Sequence, residues 1–118
     1  MSCLVGHLER AGRDLEPRLA QSMQGFTGMF VKAYLPQRWV FETESEVVHL
    51  TVDPTGRFAA GAGALPSPDV TVSTTHDRLE AALRTRDPAK VPKGPMQVTP
   101  HTAKGKAAYE FLRGRLGL

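Results

Sequence analysis

The chain has 118 residues, a net charge of +3 and 41% apolar residues, which together predict one globular domain over residues 1–118. No segment approaches the ~20 apolar residues that a membrane-spanning helix needs. Charges within the first fourteen residues interrupt any apolar segment of the signal-peptide type. The single cysteine, Cys3, excludes an internal disulfide. These features predict a reduced, cytoplasmic protein.

The charge is unevenly distributed along the chain. Residues 1–75 carry six Lys or Arg and eight Asp or Glu, a balance of −2, whereas residues 76–118 carry nine and four, a balance of +5. No block of five like charges occurs, so the main interpretation is a solvated face on helices. The alternative is that basic residues near the end contact an anionic membrane surface or a carboxylate head group. These residues are Lys104, Lys106, Arg113 and Arg115.

The first predicted element is a helix over residues 4–23, because apolar residues recur there at spacings of four and seven. Pro17 is expected to break or bend this helix. An apolar, glycine-containing segment follows, and it predicts a second short helix up to about residue 34.

Four strands come next, predicted over residues 38–44, 46–52, 57–63 and 69–74 from their β-branched and aromatic residues. Between the second and third strands, Asp53-Pro54-Thr55-Gly56 has the residue preferences of a type I turn. Short turns between the first three strands predict an antiparallel meander, and we expect the fourth strand to continue the sheet.

The remaining residues predict a helix over 76–86, a strand over 96–99 and a last helix from residue 100 to about 115. A crossing segment rich in Pro and Gly separates the first of these helices from the strand. Gly105 costs about 1 kcal/mol in a helix interior relative to Ala, so it indicates either a loose helix start or close backbone packing. The whole pattern predicts an α+β fold.

No residue pattern predicts catalysis, a metal site or a cofactor. No histidine pairs with another at helical spacing, and no Gly-x-Ser-x-Gly frame or phosphate-binding loop occurs. Alternating Glu42, Glu44 and Glu46 are interpreted as a solvent-facing row. We therefore expect a binding protein and not an enzyme. The four histidines are His7, His49, His76 and His101.

Three segments resemble the sterol carrier protein 2 (SCP2) family. Pro68-Asp69-Val70-Thr71-Val72, followed by the helix at 76–86, resembles that family's fourth strand and following helix. Lys93-Gly94-Pro95-Met96-Gln97-Val98 resembles its fifth strand, and the tail at 112–118 resembles its last helix. The likeness covers roughly residues 35–118. The chain departs from the family where Pro100-His101 replaces the usual Gly-Asp pair.

The resemblance implies a five-stranded mixed sheet with helices covering one face around an apolar pocket. It also implies a carrier of fatty acyl chains, sterol-like molecules or other lipids. Small residues from Ala60 to Gly63 are expected to leave space there, or else to mark a bulge or close helix packing. The predicted lining residues are Leu19, Met23, Phe26, Phe30, Trp39, Phe41, Leu50, Val52, Phe58, Ala60, Val72, Met96, Val98, Ala108, Phe111, Leu112 and Leu116.

Each of these lining residues would serve equally well in an ordinary core. The alternative hypothesis is therefore an accessory or interaction module of the same fold with a filled core, acting with an enzyme or with a partner in quinone or lipid biosynthesis. A nucleic-acid-binding function is weaker, because the few aromatic residues fall at predicted core positions.

Overall fold

The computed structural model describes residues 3–22, 33–85 and 87–112. The helices are α1 (Cys3–Ser22), α2 (His76–Thr85) and α3 (Ala103–Leu112), with a short 3-10 turn at Pro88–Lys90. The strands are β1 (Gln37–Glu42), β2 (Val47–Val52), β3 (Phe58–Ala62), β4 (Val70–Thr74) and β5 (Met96–Pro100). This order confirms the predicted α+β class. The predicted second short helix lies on residues outside those described, apart from its last residues.

The five strands form one mixed sheet in the order β3-β2-β1-β4-β5. The predicted meander of β1, β2 and β3 is confirmed, because both of its pairings are antiparallel. The fourth strand joins the sheet on the other side of β1 and runs parallel to it, with Trp39 opposite Val70. β5 then pairs antiparallel with β4.

The link from β3 to β4 crosses the sheet, because these strands lie on opposite sides of the β1–β2 pair. The ring nitrogen Nδ1 of His49 lies 2.9 Å from Gly63 O at the start of this link. The Asp69 N–H donates to Arg38 O at its end. Val40 points to the face away from the helices and is nevertheless only 2% exposed. Val40 is therefore covered on this second face of the sheet.

The core lies between the other face of the sheet and the helices. α1 contributes Leu4, Leu8 and Leu15 to a single buried cluster with the inward residues of β1, β2 and β4. The expected break at Pro17 is wrong, since α1 continues through it. Pro17 lies on the exposed side of the helix, where water can replace the amide partner that the proline removes.

α1 approaches β3 closely at Phe58. A Cβ atom on Gly12 would lie 2.7 Å from Phe58 Cβ, so the helix backbone comes almost into contact with the strand. The Glu16 carboxylate accepts a 2.8 Å hydrogen bond from the Phe58 N–H, which satisfies a backbone donor at this edge of the sheet. On the opposite face, the His49 ring fills the space beside Gly61. Of the three expectations for the small residues, a bulge is wrong as far as Ala62, because β3 pairs with β2 without interruption up to that residue.

Two boundaries differ from the sequence prediction for local reasons. β1 ends at Glu42 because Thr43 starts a turn, in which its N–H donates to Glu46 O at 3.0 Å. α3 starts at Ala103, three residues later than predicted, because Pro100 still belongs to β5 opposite Val70. Thr102 then caps the helix by accepting the Gly105 N–H at 3.0 Å.

Candidate ligand-binding site

The central strands carry apolar side chains that are fully covered. Trp39, Phe41, Leu50 and Val72 are each at most 2% exposed and pack in one cluster with Leu79 of α2. Packing of this kind fills the volume at the centre of the predicted pocket, as far as the described residues show. Two further predicted lining residues, Val52 and Ala108, are also buried.

The edge strands differ from the central ones. Phe58 and Ala60 of β3, and Met96 and Val98 of β5, are only half-buried and pack against the outside of the core cluster. Leu19 of α1 is also half-buried. Among the described residues, these are the predicted lining positions that remain open to an apolar ligand. Of the other predicted residues, Met23, Phe26, Phe30 and Leu116, and the side chains of Phe111 and Leu112, lie outside the described part of the chain.

A groove of about 500 Å³ opens where β4 ends and β5 begins. We call it the Met96 groove. Its size falls in the range of small-molecule pockets, about 300–1,000 Å³. Met96 forms part of its wall and also packs against the core, so this wall of the groove borders the apolar interior. The lining residues are Glu44, Ser73, Thr74, Thr75, Pro95, Met96 and Gln97.

Three chain segments are held together around this groove by hydrogen bonds. The Thr74 hydroxyl donates to Pro95 O at 2.9 Å, which joins the end of β4 to the start of β5. The Glu44 carboxylate accepts the His76 N–H at 2.9 and 3.1 Å, which joins the β1–β2 turn to α2. Because the walls are tied to each other, the groove is a fixed part of the fold.

The row of glutamates predicted to face solvent has definite partners in the structure. Glu44 caps α2, and Glu46 lies 3.4 Å from His76 Nε2. Glu42 accepts a 3.3 Å hydrogen bond from the Ser73 hydroxyl. The interpretation as a purely solvated row is therefore incomplete, because two of the three fix the turn beside the groove. Sequence reasoning found only Met96 among the groove residues.

A second, smaller cavity of about 170 Å³ lies at the other edge, between α1 and β3. Leu8, Arg13, Leu50 and Phe58 are among its lining residues. It is smaller than the usual range for ligand pockets. We therefore assign the candidate site to the Met96 groove.

At the opposite end of the sheet, a buried polar network fixes the start of α3. The Asp69 carboxylate accepts the Arg38 N–H at 3.0 Å and the Thr102 hydroxyl at 2.8 Å. The Gln37 amide donates to Lys104 O at 3.0 Å and accepts the Trp39 indole N–H at 3.0 Å. Asp69 belongs to the segment that carries the SCP2 resemblance, and its observed role is to anchor this helix.

Lys104 takes part in this network as well. Its ammonium group donates to Pro36 O at 2.6 Å and lies 3.7 Å from the Asp69 carboxylate. Of the four cations predicted to meet a membrane or a carboxylate head group, Lys104 is thus held within the protein. Lys106 is exposed, and Arg113 and Arg115 lie outside the described residues.

The described residues contain no group of three or more His, Cys, Asp or Glu side chains placed to hold a metal ion. None of the helices in the described part is long and apolar enough to cross a bilayer. The pKa of Asp53 is lowered, first by the hydrogen bond from the Thr55 side chain and then by the Arg57 amide. Asp53 belongs to the β2–β3 turn and lies outside the groove.

No family model matches this sequence, and no curated protein matches it. Five solved chains match this one, including the two that follow. One is described as the stereoselective inverting sec-alkylsulfatase Pisa1 from Pseudomonas sp., with 17% identity over 65% of this chain and a TM-score of 0.43. This chain spans only 13% of the alkylsulfatase.

The other structure is described as UbiJ-SCP2, a ubiquinone synthesis protein. It is 12% identical, with a TM-score of 0.45, over 90% of this chain and 88% of that one. It carries the name of the family that the sequence resembles. Identities and TM-scores this low carry no inference about function, which is drawn below from this chain's own residues.

Proposed function

We propose that this chain is a non-enzymatic binding domain for an apolar ligand of acyl-chain or sterol-like type, and that the ligand enters through the Met96 groove. The observation that carries the proposal is a groove of about 500 Å³ whose wall residue Met96 also packs against the core. Each buried CH₂ group contributes about 0.8 kcal/mol before the costs of association. A flexible thioether side chain suits ligands of varied shape.

Binding without bond-making agrees with the chemistry of the groove. Its lining contains hydroxyl, amide and apolar groups with one carboxylate, Glu44. The Ser73 hydroxyl donates to the neighbouring Glu42 carboxylate at 3.3 Å. Such a lining supplies apolar contact and a few hydrogen bonds that orient a head group.

The proposal is tested with two tryptophan variants on one strand. Gln97→Trp places a large side chain in the groove, whereas Thr99→Trp places it two residues along the same face of β5, outside the groove lining. Both positions are exposed, so both variants are expected to fold. We expect Gln97→Trp to weaken the binding of decanol at least tenfold by isothermal titration calorimetry, and Thr99→Trp to leave it unchanged. Equal affinities in the two variants would contradict the assignment of the site.

A second candidate function is supported by the filled centre of the core. Side chains such as Phe41 and Val72 are 0% exposed, which is the packing that an accessory module with no internal ligand requires. In this case the chain would act through its surface, with an enzyme or a partner in quinone or lipid biosynthesis. Wild-type protein that folds cooperatively and takes up neither decanol nor cholesterol would favour this second function.

A further inference from the structure

The charge of the Met96 groove points to a particular kind of head group. Among the described residues that line it, Glu44 is the one charged side chain, and it is exposed. A second carboxylate, Glu42, lies close by, because it accepts a hydrogen bond from the lining residue Ser73. The mouth of the groove is therefore acidic.

Two described basic side chains near the groove already have partners. The Arg78 guanidinium donates to Gly94 O, next to the lining residue Pro95. The His76 ring lies among the carboxylates of Glu46, Asp77 and Glu80, at 3.4 to 3.9 Å. Lys93, two residues before Pro95, is exposed. None of these three basic residues is among the lining residues.

Lys104, one of the four cations expected to meet a membrane or a carboxylate head group, lies far from the groove. Lys104 is held at the opposite end of the sheet by Pro36 O and Asp69. The groove also offers hydrogen-bond acceptors, namely the Glu44 carboxylate and the side-chain oxygen of Gln97, whose amide nitrogen can also donate. A head group that donates hydrogen bonds thus fits this groove, whereas a negatively charged one is repelled.

Resting on the proposed function, we infer that the groove selects single-chain amphiphiles with a hydrogen-bond-donating head group and no negative charge, such as long-chain alcohols or amines, over fatty acids. Glu44 sets this selectivity. Two unit charges about 4 Å apart in water repel each other by about 1 kcal/mol, which corresponds to a roughly fivefold loss of affinity. Salt reduces this difference, because the groove is open to solvent.

The test compares three probes of equal chain length, decanol, decylamine and decanoate, at pH 7 and low salt. Binding is followed by NMR through the methyl group of Met96 in protein labelled with [methyl-¹³C]methionine. We expect decylamine and decanol to bind at least fivefold more tightly than decanoate. Glu44→Gln keeps an oxygen that can cap α2 and should close the gap between decanol and decanoate.

Glu80→Gln is the matched control, since it removes a carboxylate near His76 that does not line the groove. We expect the gap between decanol and decanoate to persist in this variant. Decanoate that binds as tightly as decanol in the wild type overturns the inference and leaves the proposed function intact. A gap that Glu44→Gln does not change, or that Glu80→Gln closes equally, also overturns it. No shift of the Met96 signal with any probe overturns both proposals.

Discussion

The helix–sheet contact at Gly105 gives the sharpest prediction about stability. A Cβ atom at this position would lie 2.3 Å from Asp69 O and 2.8 Å from Asp69 C. Both are backbone atoms within the network that anchors α3, so neither can rotate away. Intrinsic helix propensity favours Ala over Gly by about 1 kcal/mol, whereas this contact opposes it.

The magnitude follows from how far the helix must move. An ordinary contact begins at 3.4 Å, so α3 must shift by roughly 1 Å to accept the extra methyl group. Overpacking of this kind costs about 1–3 kcal/mol. The shift also weakens the hydrogen bonds from Gln37 to Lys104 O and from Thr102 to Asp69, each of which contributes about 1 kcal/mol. After the gain in propensity, we expect Gly105→Ala to destabilise the protein by about 2 kcal/mol.

Urea unfolding monitored by circular dichroism measures this change. Gly6→Ala is the matched control, because Gly6 lies in α1, is exposed and has nothing within 4 Å of an added Cβ atom. We expect that variant to gain about 0.5–1 kcal/mol. If Gly105→Ala were as stabilising as Gly6→Ala, the close contact between α3 and Asp69 would be refuted.

Three further predictions concern stability. Asp69→Ala leaves the Arg38 N–H and the Thr102 hydroxyl without their acceptor, so it should lower the free energy of unfolding in urea by about 2–4 kcal/mol. The control is Asp77→Ala, at a side chain that is 94% exposed, which should lower it by less than about 1 kcal/mol. Gly12→Ala should lower the free energy of unfolding by about 1–3 kcal/mol, because the added Cβ atom would meet Phe58. An unchanged free energy of unfolding would disprove the close approach of α1 to β3. The pKa of Asp53 in the folded protein is lowered below 3.8. Its contribution to stability is therefore present above pH 3.8 and is lost as the pH falls through the pKa of the folded protein. An NMR titration that gives Asp53 a pKa at or above 3.8 would contradict this.

Local patterns in the sequence were sufficient to predict most of the helices and strands. Alternating apolar residues defined β2, and the turn residues from Asp53 to Gly56 are confirmed by the hydrogen bond from the Gly56 N–H to Asp53 O at 2.9 Å. The parallel pairing of β1 with β4 could not be derived in this way. This pairing joins segments about thirty residues apart. The position of β4 beside β1 depends on the crossing link and on the core that the two strands share.

The sequence predicted less of the candidate site than of the fold. The Met96 groove is built from three separate stretches, the β1–β2 turn, the end of β4 and the start of β5. Only Met96 among them carries an apolar signal, so the polar residues of the rim gave no pattern to detect. The partners of Lys104 within the protein, Pro36 O and Asp69, could not be predicted either, because they are distant from it in sequence.

Native mass spectrometry of the freshly purified chain, with organic extraction and loading with decanol and cholesterol, tests the central claim most directly. The proposed function predicts one apolar adduct per 12.9 kDa chain, either carried from the cell or taken up on loading. It also predicts that the Gln97→Trp variant loses this adduct while the Thr99→Trp variant keeps it. A clean mass of the unliganded chain, unchanged after loading of folded protein, would contradict the account.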